Sequence, residues 1–217
     1  MRCSIINLNA QASRADTHAS SAVTSSFHNH SLNICEARSA IPTISWYGAI
    51  QIMPIRPIIR YPDPRLALPA QPVTAFDGAL RDLANDLLET MHAAPGIGIT
   101  APHIGIALRV VVLDLDPVDG ARTYVNPEII WASPDMIVHQ EGSVSMPGVN
   151  DEISRHARVR ISYQDVDGNL RTEESEGLRA ICHQHEIDQL NGLFWIKRLS
   201  RLKRERLVKR FEKMSRG

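Results

Sequence analysis

The stretch "ICHQHEIDQL", Ile181 to Leu190, decides how the chain is read, because it begins as a helical metal site and then departs from one. On an α-helix, residues four apart project from one face. The pattern H-E-x-x-H therefore lets two imidazoles hold one metal while the glutamate works as general base. Here His185 and Glu186 fill the first two places, and Gln189 stands where the second histidine belongs. Taken alone, such a pair is more often a surface feature of a helix than a site. Cys182, His185 and Gln189 share one helical stripe. His183 is expected to have an ordinary helix-surface role.

Outward from that helix, predicted over about Gly177 to Leu190, the pattern is α+β. "DGALRDLANDLLETMH" places Leu80, Leu83, Leu87, Leu88 and Met91 at helical spacing, with Asp77 as N-cap. "LRVVVLDL", "RTYVNPEII", "DMIVHQEG" and "ARVRISYQDVDGNLRTEESEG" read as β-rich runs, the last broken at Asp167-Gly168 in the manner of a hairpin turn. A third, basic helix is expected from about Ser200 to Lys213.

At 217 residues and 43% hydrophobic content the chain can bury one ordinary core. No run of about 18 apolar residues occurs, so no membrane span is expected. Three cysteines, Cys3, Cys35 and Cys182, do not make a disulfide framework and favour a reducing compartment. Residues 1–52 lack periodicity and are expected to be disordered or to precede the true start, with order beginning near Met53 and a single domain over 53–217. A bacterial cytoplasmic setting is expected. An organellar one stays open, since the first 52 residues are Ser-rich and acid-poor like a transit peptide. The net charge is zero, yet ten lysines and arginines against two glutamates fall between Lys197 and Gly217. Such a tail is usually a solvated helix face, and less often binds RNA or acidic surfaces.

Two glycine loops complete the picture: "PGIGITAPHIGI", Pro95 to Ile106, and "QEGSVSMPG", Gln140 to Gly148, the second read as a loop between strands. Each alone would be structural. Together with the helical motif, in this order and spacing, they closely resemble the peptide deformylase family, whose motifs run G-x-G-x-A-A-P-Q, E-G-C-x-S and Q-H-E-x-D-H. The resemblance extends through "YPDPRL", "NPEI" and "FWIKRLSRLKR", covering nearly everything from Met53 onward.

What the resemblance implies is a peptide-deformylase-like fold, with antiparallel sheets around a central motif-bearing helix and a C-terminal helix. It implies removal of the N-formyl group from the initiator methionine of nascent peptides by a divalent metal, Fe2+ or Zn2+ and sometimes Ni2+. The partners implied are an N-formylmethionyl peptide and, through the basic helix, the ribosome; neither DNA nor a membrane is expected. Carried over residue by residue, the metal positions are Ser143, His185 and Gln189, so one ligand of three keeps its type. Glu186 is the base. His103 stands where a glutamine helps hold the oxyanion, and Val144 where a backbone N–H shares that task. Gly96, Gly98, Glu141 and Gly142 match in kind, and Cys182, three residues before His185, stands where the family commonly has an apolar filler, so it is expected to be core. Serine keeps its proton near neutral pH and glutamine offers a neutral amide oxygen, so metal binding and turnover are expected to be weak. The alternatives are a silent paralogue that binds peptide or ribosome, a hydrolase of another formyl or acyl amide, and a repaired site in which His103 joins His185 as ligand.

Overall fold

The computed structural model describes residues 55–118 and 120–216. The expectations for residues 1–52 and for a start at Met53 lie outside the described residues. The first helix, α1 (Gly78–Ala93), begins where Asp77 accepts a hydrogen bond from the Leu80 N–H, as an N-cap should. Its apolar stripe of Leu80, Leu83, Leu87 and Met91 is buried. Strands β1 (Gly98–Thr100), β2 (Val110–Leu113), β3 (Arg122–Ala132), β4 (Met136–Ser143), β5 (Met146–His156), β6 (Arg158–Gln164) and β7 (Leu170–Glu176) follow, then α2 (Gly177–Leu190) and α3 (Arg201–Ser215).

The strands form a five-stranded sheet, ordered β1-β2-β3-β6-β7, and a two-stranded sheet of β4 and β5; every pairing is antiparallel. Strand periodicity sets what each face of the large sheet touches. In β2, Val110 and Val112 pack with the α1 stripe, whereas Val111 and Leu113 pack with Ile181, Cys182 and Leu190 of α2. A third cluster joins the small sheet, through Met146, Val149 and Ile153, to Trp195, Ile196 and the inward residues Leu207 and Phe211 of α3. The two helices on the large sheet thus lie on opposite faces.

Two sequence expectations need correction. The segment Gln140 to Gly148 is not a loop: β4 runs to Ser143, Val144 and Ser145 make a two-residue turn, and β5 starts at Met146. Its apolar residues Met146 and Val149 sit among glycine, proline and asparagine, which hid the strand. His183 is not on a surface either; it is 1% exposed, with its ring edge-on to Tyr124 at 4.7 Å between centroids. Every residue of α2 from Ala180 to Leu190 is buried, because the helix contacts strands of both sheets and has no outward face. Cys182 is core, as expected. Among the described residues no helix is long and apolar enough to cross a membrane.

Candidate functional site

The three motifs converge where β1 and the 3-10 turn Ala101–Ile104, the β4–β5 turn, and α2 meet. A short segment ahead of α1 ties two of these pieces together: the Ile59 N–H donates to the His103 carbonyl at 2.8 Å, and the Tyr61 N–H to the Ser145 carbonyl at 2.9 Å. Gly98 pairs with Leu113 in β1, while the Gly96 N–H donates back to the Met91 carbonyl at the end of α1. At Gly142 a side chain would be crowded, since a Cβ there would lie 3.0 Å from the Val149 carbonyl oxygen across the hairpin.

His185 and Glu186 are both buried on α2. Glu141 at the end of β4 lies 2.7 Å from His185 Nδ1. An ionised carboxylate can only accept, so Nδ1 carries the proton, and in the neutral form of the ring the lone pair is on Nε2. Glu141 is held ionised in turn by Arg155 of β5, whose Nε and Nη2 donate to its two oxygens at 2.8 and 2.9 Å. Burial opposes that charge, but the hydrogen bonds from Arg155 and His185 outweigh it and bring the carboxyl to about 2. Arg155 also donates to Asp188, which receives Arg198 Nε at 2.9 Å. Sequence reasoning overlooked Arg155 and Asp188. The signal was available for one of them: strand alternation puts Arg155 on the same inward face as Val149 and Ile153, and a buried arginine requires partners.

The other half of the site is built differently. Neither oxygen of Glu186 has a hydrogen-bond partner among the described residues. Burial raises its pKa to about 7, against the opposing charge of His185 and with help from Glu141. Ser143 Oγ accepts the Ser145 N–H at 3.1 Å, and Gln189 Nε2 donates to the Leu66 carbonyl at 2.8 Å. The Val144 carbonyl accepts from Arg60 Nη1 at 2.6 Å. His103 is 1% exposed; the Thr100 N–H donates to its Nδ1 at 3.0 Å, and its Nε2 is buried with no partner among the described residues. Burial, then the nearby charge of His185, lowers its pKa to about 3.

These donors do not fit a divalent metal held in the family's manner. Only His185 presents a strong donor atom; Ser143 contributes a protonated hydroxyl, and Gln189 an amide whose nitrogen is anchored to backbone. Among the described residues no three His, Cys, Asp or Glu side chains converge as a metal-holding group.

The chain matches the family described as Polypeptide deformylase over residues 55–205. A protein of Bradyrhizobium diazoefficiens named "Peptide deformylase-like" is 79% identical over 165 residues, which is 76% of this chain and 97% of that one. A protein of Methylocella silvestris named "Peptide deformylase" is 48% identical over 167 residues, covering 74% of this chain and 85% of its own length. The crystal structure of a peptide deformylase from Legionella pneumophila superposes with a TM-score of 0.71 at 39% identity, over 75% of this chain and 96% of that one. On the matched span, the shared fold and the sequence identity together, this chain belongs to the peptide deformylase family.

Proposed function

We propose that this protein keeps the formyl-peptide cleft of its family while metal-dependent deformylation is weak or lost. Peptide deformylases are metal-dependent and act on formylated nascent peptides. In such enzymes the metal lowers the pKa of bound water from 15.7 to about 7, on the order of 12 kcal/mol towards hydroxide. A lone carboxylate at Glu186 does not replace that. The observation that carries the reading is the state of the two altered positions. Ser143 Oγ and the Gln189 amide nitrogen are both engaged with backbone groups, so they serve as internal hydrogen-bonding residues.

Around them the parts that would seat a peptide are of the family's kind: the glycine loop entering β1, the tight hairpin turn at Val144, and Glu186 on α2. The site residues we assign are therefore His103, Val144, Gly96, Gly98 and Gly142 toward the peptide, with Glu186 as residual base and His185, Ser143 and Gln189 at the former metal positions. We assign this activity to the domain over 53–217, in a bacterial cytoplasm. The basic residues on the exposed side of α3 are suited to the ribosome surface.

The test is metal analysis of the purified full chain beside binding and hydrolysis of a formyl-Met peptide. Binding with little turnover and far less than one Fe2+ or Zn2+ per chain is expected. Near-stoichiometric metal with brisk turnover would overturn the proposal, as would a peptide that does not bind at all.

A further inference from the structure

We propose that His103 is locked as the Nε2–H tautomer, so that it serves this site as a hydrogen-bond donor to an acyl carbonyl oxygen and cannot be a metal ligand. The choice follows from one backbone group. A peptide N–H can only donate, and the Thr100 N–H points at His103 Nδ1 at 3.0 Å, with Thr100 Oγ1 2.9 Å from the same nitrogen. Nδ1 must therefore hold the lone pair. In a neutral imidazole the proton then sits on Nε2, the atom that is buried with no partner among the described residues. A ring that accepts the Thr100 N–H at Nδ1 has no proton there and is not an imidazolium.

The two imidazoles of the site are thus fixed in opposite senses. His185 donates its Nδ1 proton to Glu141, which leaves Nε2 as the lone-pair atom of its neutral ring; His103 accepts at Nδ1, which leaves Nε2 as its N–H. To ligate through Nε2, His103 would have to place its proton on Nδ1, against the Thr100 N–H, or lose both ring protons. The exchange of residue types between positions 103 and 189 therefore does not restore a metal site. It leaves a neutral donor where a ligand needs one for its acceptor oxygen, and a buried donor left unpaired is destabilising until such an acceptor arrives. The acceptor we name, the carbonyl of a formyl or other acyl amide, rests on the function proposed above, whereas the tautomer does not.

The two parts separate in one experiment on the full chain labelled with 15N-histidine. Long-range 1H–15N spectra distinguish protonated from unprotonated ring nitrogens, and His103→Gln identifies the signals by their loss. The expected result is an unprotonated Nδ1 and a protonated Nε2 at His103, unchanged when Zn2+ is added. A proton on Nδ1, or a Zn2+-dependent change at His103, overturns the assignment. Formyl-Met-peptide titration supplies the second readout: His103→Gln, which keeps an N–H donor, should bind like the parent, and His103→Ala about tenfold more weakly. Equal binding by all three overturns the donor role. Absence of binding in all three removes the acyl ligand together with the proposed function, while the spectra still decide the tautomer.

Discussion

The site has two halves that solve the problem of buried polarity in opposite ways. On one side, Glu141, Arg155, Asp188 and His185 form a closed network in which each charge has a partner. On the other, Glu186 and His103 carry buried polar atoms with no partner among the described residues, and Ser143 and Gln189 turn to backbone. The closed half is the part that orients His185 and joins β4, β5 and α2, so it holds the fold together whatever the site does. The function proposed above assigns the open half to the ligand, and Ser143 and Gln189 fall in that half.

The sharpest way to break this contrast is to rebuild the open half. Ser143→Cys with Gln189→His adds a thiolate and a second imidazole beside the Nε2 lone pair of His185, which supplies a tetrahedral site with one open position. Metal affinity should rise by more than 100-fold, read from bound metal after dialysis, with formyl-Met-peptide hydrolysis rising by orders of magnitude. A double variant that binds metal stoichiometrically yet leaves the peptide intact shows instead that the cleft itself has diverged.

Next in size is damage to the closed half. Arg155→Leu leaves Glu141 and Asp188 as buried carboxylates without their shared partner, at a cost of about 3–5 kcal/mol. Urea unfolding measures it; a loss under about 1 kcal/mol would mean that the network does not anchor the hairpin to α2.

The two carboxylates should also give opposite pH dependences. Glu186 has its pKa raised to about 7 in the folded chain, so its contribution is fully present below the unfolded carboxyl value and is lost as pH rises through about 7. Between about pH 4.3 and 7 that is roughly 4 kcal/mol, and Glu186→Gln should flatten this part of the stability curve. Glu141 has its pKa lowered to about 2, so its contribution is present above the unfolded value and is lost as pH falls through about 2. Unfolding midpoints for both Gln variants across pH 2 to 8 decide the matter, and parallel curves would refute the division.

The smallest effect is expected at Gln189→Ala, which removes the hydrogen bond to the Leu66 carbonyl in a buried setting and should cost about 1–3 kcal/mol. Peptide hydrolysis should not change. A fall in basal turnover would show that Gln189 contributes to chemistry through more than its backbone anchor.

Much of this molecule is local and was therefore open to reading along the chain. The Asp77 cap, the α1 stripe and the span of α2 follow from periodicity and end signals within one segment, and the turn at Asp167-Gly168 forms with Gly168 at φ +86°. The motifs at positions 96–103, 140–148 and 185–189 named the family because residue types at fixed spacing survive without any knowledge of packing. Three things required the tertiary structure. His183 is buried because α2 is enclosed on every side, so a polar residue there signals enclosure and not a surface. Arg155 meets Glu141 and Asp188 only after β5 pairs with β4 and packs on α2, contacts 14 and 33 residues apart in sequence. Last, the spacing of His103 and Gln189 allowed either a ligand or a donor, because both roles use the same side chain. One N–H from Thr100, directed at one ring nitrogen, decides between them, since a backbone donor can only pair with a lone pair.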